Sequence, residues 1–340
     1  MATKNPRAPK IVIFDAKPWE KIKFNKAFKK NNLIYYKEPI HEANLAKAKT
    51  ADVISMFISS KVDAGIIKKF PKLKLIATRS TGFDHIDLKE AKAKKIIVVN
   101  VPSYGENTVA EHAFALILSL SRNIHKSYLR TTREDYTIEG LKGFDLQDKT
   151  LGVIGAGRIG QHAIRIGRGF GMDVLAYDNC QSKFLSETLT FKYVTLNELL
   201  KKSDVITIHV PGCAETKHLL NKKNMKLIKK GAILINTARG EVVETEALLE
   251  ALDKKILAGV GLDVLEGEDL ILEEKHLIYR KQNNQELASL IKNHILLSRD
   301  NVVFTPHIAF YSQEAIDRIT DTTIDNIVNF SKGKLINLVN

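Results

Sequence analysis

The sequence predicts an α/β protein of two domains, each built on a parallel sheet with helices against it. Three observations carry that reading. Short apolar runs alternate with lysine-rich or amphipathic stretches along the chain. A glycine pattern, Gly155, Gly157 and Gly160, stands between one such run and a helical stretch near the middle. At 340 residues the chain is also long for a single core.

Taken in order, residues 10–15 (KIVIFD) predict a buried strand, and the runs 33–36, 52–57, 73–78 and 96–99 predict four more. The stretches between them are helical in pattern, so the first hundred residues form one small α/β domain. After the strand ending at Thr78, residues 79–87 read RSTGFDHID. This turn can present backbone N–H groups to a small anion at the carboxyl end of a sheet. It reads equally well as a plain turn before Asp87, the N-cap of a helix. His85 is read as a turn or surface histidine. Pro102 and Gly105 then break the chain at a hinge and domain boundary. Asn107 can cap the next helix, whose stripe Val109, Ala113, Leu116, Ile117 and Leu120 is expected to be buried. On that helix His112 reads as a packed histidine, while Tyr104, at the break, can either reach a cleft or simply pack.

Residues 151–178 (LGVIGAGRIGQHAIRIGRGFGMDVLAYD) predict strand, tight turn, helix and strand. Gly155 allows the turn, Gly157 lets backbone approach a pyrophosphate, Gly160 lets helix pack on strand, and the helix N-terminus offers unpaired N–H groups to phosphate. Asp178 closes the second strand about 18 residues past Gly160, where a carboxylate accepts from ribose hydroxyls and repels the 2′-phosphate of NADP. A Rossmann-type, NAD-binding domain follows from that combination.

Beyond it, 204–210 (DVITIHV), 232–237 (AILINT) and 257–265 predict strands, with a short basic helix around 225–230 and another over 243–252. Residues 270–299 are charged and helical in pattern, suited to covering a surface or a neighbouring subunit. Hydrophobic residues at 44% and charged residues at 27% exclude disorder, and no apolar run approaches the roughly 18 residues of a membrane helix. The apolar part of the N-terminus, 11–14, is shorter than a signal-peptide core, so the expected location is cytoplasmic. Cys180 and Cys213 lie far apart without a metal-ligand pattern, which predicts reduced thiols and no metal. The net charge of +13 is spread along the chain without an aromatic–basic motif, which argues against nucleic acid and for recruitment of anionic small molecules.

Three candidates for chemistry stand at strand ends: Arg239, Glu268 and His307. Reduction of a 2-oxo acid needs a hydride, a cation for the carboxylate and carbonyl, and an acid for the new alkoxide. Arginine is always charged and forks onto a carboxylate. Histidine exchanges protons near neutral pH, with a glutamate to orient it. Each residue taken singly also has a plain reading: a strand-end ion pair, a solvated acid, a capping histidine.

Together RSTGFDHID, NTVAEHA, GVIGAGRIG, HVP, NTARGEVV, GLDVLEGE and TPHIAFYS, in that order, resemble the D-isomer-specific 2-hydroxyacid dehydrogenases over nearly the whole chain. Tyr104 after NVPS, the ending VLAYD and AFY after His307 resemble its D-lactate branch. The resemblance implies a discontinuous, flavodoxin-like substrate domain, 1–103 with 307–340, around a cofactor domain, 104–306. It implies Arg239 as the substrate-binding arginine, His307 as general acid or base and Glu268 as its partner, selected over Glu266 as the second acid of the DVLEGE run. It implies cofactor contacts at Arg158, Ile159, Asp178, Val210, Pro211, Thr216, Thr237, Ala238, Arg239 and Asp263, besides the three glycines. It further implies that Thr81, Gly82, Tyr104, Phe310 and Tyr311 line the substrate pocket with Arg239 and His307, and that the protein is a homodimer. The expected reaction is NADH-dependent reduction of pyruvate to D-lactate. A bulkier 2-oxo acid, glyoxylate or hydroxypyruvate is the alternative substrate, and a dinucleotide-sensing interaction protein of the corepressor type is the alternative from another class.

Overall fold

The computed structural model describes residues 8–268 and 284–340. The chain divides into two compact units, Met1–Tyr104 with Ser312–Asn340, and Gly105–Tyr311.

The first unit is a five-stranded parallel sheet of β1 (Ile11–Ile13), β2 (Leu33–Tyr35), β3 (Val53–Met56), β4 (Leu75–Thr78) and β5 (Ile97–Val99), in the order β2-β1-β3-β4-β5. β1, β3 and β4 are buried on both faces, which is why their sequences are continuous apolar runs rather than alternating ones. The C-terminal helix Gln313–Ser331 belongs to this unit: Ile327 packs among Ile11, Ile13, Val53 and Leu75, and Asn326 donates to the Asn100 carbonyl at 2.8 Å. Asp87 does cap the helix Leu88–Ala93, accepting from Glu90 N–H at 3.0 Å.

At the carboxyl ends of these strands lies a buried ionic cluster. Arg79 is 1% exposed, its Nε 2.8 Å from Glu20 Oε1 and its Nη2 donating to the Phe14 carbonyl at 2.7 Å. Asp15 accepts from the hydroxyls of Ser59 and Ser60 at 2.7 and 2.6 Å. Arg79 immediately precedes the Ser80–Gly82 turn, so the cluster sets where that turn leaves the sheet.

The second unit is a seven-stranded parallel sheet: β6 (Thr150–Ile154), β7 (Asp173–Tyr177), β8 (Lys192–Tyr193), β9 (Val205–Ile208), β10 (Ala232–Asn236), β11 (Leu257–Leu262) and β12 (Val302–Phe304). Their order, β12-β11-β10-β9-β6-β7-β8, reverses direction between β6 and β9, the point at which doubly wound sheets bind ligands. Alternate residues sort into two cores. Val153, Val205, Ile233 and Ile235 meet Ala113, Leu116 and Ala163 of the helices Glu106–Ser121 and Arg158–Gly169. Ile154, Ile206, Ile208 and Leu234 meet Leu199, Leu248 and Leu252 on the opposite face.

Several expectations are corrected. Tyr104 belongs to the first unit, where Arg318 Nε donates to its carbonyl, and residues 307–311 stay with the second, because Asp263 binds their backbone. Gly105 rather than Asn107 precedes the long helix; Asn107 falls inside its first turn and donates to Glu111. The short basic helix is Lys222–Met225, started by Asn221 accepting from Lys223 N–H, and 226–230 form the turn into β10. Of the charged stretch 270–299, residues 270–283 lie outside the described residues; Asn284–Leu297 is a helix with Asn293 and Leu296 buried. A helix the pattern did not predict, Ile124–Thr131, has no buried residue. Among the described residues no helix is long and apolar enough to cross a membrane.

Removing one partner of a buried ion pair strands the other charge, at a cost of about 3–5 kcal/mol. Glu20→Ala is therefore expected to lower the unfolding free energy of the first unit by that amount, read as a lower urea midpoint; a wild-type midpoint would show that Arg79 is satisfied without it.

Candidate active site

The carboxyl ends of the second sheet's strands bring the candidate residues together. Ile154, Ile208, Asn236, Leu262 and Phe304 form the last paired row across β6, β9, β10, β11 and β12. The next residue of each strand is Gly155, His209, Thr237, Asp263 and Thr305. Five candidate or neighbouring residues thus stand side by side at one sheet edge.

At its β6 end, Gly155 adopts φ +95°, and a Cβ there would meet the His209 carbonyl at 2.6 Å. A Cβ on Gly160 would meet the Gly155 carbonyl at 1.9 Å, so helix and turn close on each other. Gly157, by contrast, has nothing within 4 Å of that position, which leaves open space at the start of the helix Arg158–Gly169. Asp178, after β7, reaches back to the same loop: it accepts from Ala156 N–H at 2.7 Å and Cys180 N–H at 2.8 Å. Arg158 is exposed and 3.6 Å from Glu106, while Ile159 packs partly into the core. Val210 packs on the opposite core. Pro211 and Thr216 close the next loop, the Thr216 hydroxyl donating to the Pro211 carbonyl at 2.6 Å and accepting from Cys213 N–H.

At the other end, Glu268 Oε1 lies 2.8 Å from His307 Nδ1, and its Oε2 accepts from Leu265 N–H at 3.0 Å. The glutamate is thereby held by its own turn and holds the ring in turn. With Nδ1–H committed to Glu268, Nε2 is the proton-exchanging nitrogen, and it has no partner among the described residues. Glu266, the rival acid, is engaged elsewhere: His218 Nε2 stands 2.6 Å away, and Thr245 donates through N–H and hydroxyl. Burial pushes Glu266 up, but those hydrogen bonds outweigh it and hold the carboxyl below its usual range. His307 itself sits at φ +53°.

Arg239, half-buried, follows β10 and donates from Nη1 to the Ala238 carbonyl at 2.8 Å. Its stem passes over Gly212, and Gly240 packs so closely on Leu265 that a Cβ would meet its carbonyl carbon at 2.1 Å. The arginine turn and the glutamate turn are therefore in direct contact. Phe310 and Tyr311 form an edge-to-face pair, 5.7 Å between centroids. Thr81, Gly82 and Tyr104 lie in the first unit. There the 80–82 turn is pinned by Ser80 donating to the Gly82 carbonyl, Thr81 to the Val101 carbonyl and Asn100 to the Thr81 carbonyl. His85, read as a turn or surface histidine, lies in a turn, its Nε2 3.1 Å from Thr78 Oγ1.

The sequence model of the D-isomer specific 2-hydroxyacid dehydrogenase NAD binding domain matches residues 114–309. The chain belongs to this family. It is 36% identical over 331 residues to a 2-hydroxyacid dehydrogenase homolog of Haemophilus influenzae, covering 96% of this chain and 97% of the relative. It is 38% identical over 293 residues to the D-lactate dehydrogenase of Escherichia coli, covering 84% and 86%. Among solved structures, D-lactate dehydrogenase from Aquifex aeolicus, complexed with NAD and lactic acid, superposes with a TM-score of 0.85 at 37% identity, covering 95% of this chain and 96% of the other.

This dehydrogenase is thus an NAD-dependent oxidoreductase, and its own residues fit the cofactor. The space above Gly157 and the adjoining helix N-terminus suit a pyrophosphate, and Asp178 suits ribose hydroxyls. Thr237 Oγ1 and His209 Nδ1 are buried without a hydrogen-bond partner among the described residues. Buried polar atoms are nearly always paired, so two orphans side by side fit a polar ligand supplied from outside.

Sequence reasoning named Thr237 but missed His209, which the HVP motif presents only as a strand end. Its Nε2 stands 2.9 Å from Thr207 Oγ1, and burial pushes its pKa from 6.5 down to about 4. The folded protein keeps this ring neutral while the unfolded chain protonates it below 6.5. The resulting stability is complete above pH 6.5 and is lost as pH falls through about 4, a loss of roughly 3 kcal/mol. His209→Gln should flatten the stability profile of the second unit across that window, as followed by urea unfolding. An unchanged slope would place the acid sensitivity in another group.

Proposed function

We propose that this dehydrogenase reduces pyruvate to D-lactate, as a cytoplasmic homodimer. The observation that carries the chemistry is the His307–Glu268 pair at 2.8 Å, with Nε2 left without a partner among the described residues. NADH, when bound, supplies the hydride. Arg239 holds the substrate carboxylate through its fork and polarises the neighbouring carbonyl. The Nε2–H of protonated His307 transfers its proton to the carbonyl oxygen as that oxygen gains charge, and Glu268 balances the imidazolium before transfer and fixes the ring throughout. In the first unit the N–H groups of Thr81 and Gly82 have no partner among the described residues and are open to an anion. Phe310 and Tyr311 are assigned to the pocket wall, where aromatic bulk favours a short substrate chain.

Pyruvate is supported by the similarity to D-lactate dehydrogenases of two organisms. A second copy as partner is supported by the exposed apolar side chains Ile124, Tyr128, Leu129, Tyr136 and Ile138, which cluster in sequence around a helix that buries none of its residues.

The deciding experiment is NADH oxidation with pyruvate, 2-oxoisocaproate, phenylpyruvate, glyoxylate and hydroxypyruvate, with chiral analysis of the product. Fastest turnover of pyruvate, giving D-lactate, is expected. Preference for another acid would move the assignment to that substrate, and NADH binding without turnover of any would favour the interaction-protein reading.

A further inference from the structure

The long helix Glu106–Ser121 delivers one more polar side chain to the sheet edge. His112 Nε2 lies 2.9 Å from Thr305 Oγ1 and 3.5 Å from Asp263 Oδ1. The Thr305 hydroxyl donates to Asp263 Oδ1 at 2.5 Å. A hydroxyl has one proton, and that proton is committed to Asp263, so Thr305 accepts from His112 and the imidazole carries hydrogen on Nε2. The donors therefore run in one direction, from His112 to Thr305 to Asp263.

Asp263, 1% exposed, is where this chain meets His307. Its Oδ1 accepts from Ile308 N–H at 2.9 Å, its Oδ2 from Ala309 N–H at 2.8 Å, and its carbonyl from His307 N–H at 2.9 Å. The His307 N–H is shared with the Thr305 carbonyl, also at 2.9 Å, while the next two backbone donors hang on the Asp263 carboxylate, which Thr305 orients.

We infer that His112 is a positioning residue for the reaction at His307, acting through Thr305 and Asp263. Its donation fixes the Thr305 hydroxyl toward Asp263. Without it the hydroxyl is free to rotate, Asp263 loses a fixed donor, and the 307–309 backbone loses its anchor. The imidazole then no longer meets Glu268 and substrate in one geometry. This rests on His307 as the proton-transferring residue.

The test uses His112→Ala, His112→Gln, His307→Ala and the double variant His112→Ala/His307→Ala in the full chain. His112→Ala is expected to slow single-turnover NADH oxidation by pyruvate about 10- to 100-fold, the scale of a small misplacement at a reacting centre, while NADH affinity holds. His112→Gln, whose side-chain amide can donate to Thr305, should recover most of the rate. In the His307→Ala background His112→Ala should cost nothing further, since both act on one step. A full, additive loss there, or glutamine behaving as alanine, would overturn the inference. Hydrogen exchange at the Ile308 and Ala309 amides gives a reading that needs no turnover: faster in His112→Ala, restored in His112→Gln. If the wild type reduced none of the oxo acids, the proposed function would fall while exchange still decided the role of His112, and unchanged exchange would end it.

Discussion

The N–H groups of His307, Ile308 and Ala309 all reach Asp263, the first its carbonyl, shared with the Thr305 carbonyl, and the others its carboxylate. His307 needs that restraint because its backbone lies at φ +53°, in the left-handed region where a residue with a Cβ is held only by its surroundings. Relaxing the backbone to an extended conformation would swing the imidazole away from Glu268. A buried carboxylate, in turn, is tolerable only with donors on both oxygens. The strained turn thus satisfies the buried acid, and the acid keeps the turn strained.

Everything else about the second unit serves to bring such residues to one edge. Parallel strands end together, so a sheet in which every strand runs the same way places the residues after each ladder in a single line. Here that line is Gly155, His209, Thr237, Asp263 and Thr305. The first turns the chain toward the cofactor site, the next two carry polar atoms without a partner among the described residues, and the last two build the support for His307. Arg239 and Glu268 come from the turns just beyond, which touch through Gly240.

Much of this was legible in the sequence. The five strands of the first unit lie within the predicted runs, and the strand–turn–helix–strand of the glycine motif matches its run to within a residue; β1, β3 and β4 were the plainest, because strands buried on both faces must be apolar at nearly every position. That Arg239, Glu268 and His307 stand just beyond strand ends was also readable. What escaped was polar and non-local. Nothing in the spacing of Glu20 and Arg79 marks them as a buried pair, since their contact spans a strand and a helix. His112 read as a packed histidine because its partner Thr305 is distant in sequence and adjacent only in the folded sheet. Two acids two residues apart, Glu266 and Glu268, were separated by the family pattern alone, whereas the structure distinguishes them by which histidine each faces. Helix ends moved by a few residues where a rival cap, such as Asn221, lay just upstream.

In the proposed reaction His307, held by Glu268, supplies the proton to the reacting carbonyl. This role is tested most directly by single-turnover NADH oxidation in His307→Ala with saturating pyruvate, measured with and without added imidazole. The expected rate is at least about 100-fold below wild type, the usual contribution of a general acid, with NADH bound normally and the rate rising with imidazole concentration. A rate equal to wild type would contradict it and remove His307 from the proton path.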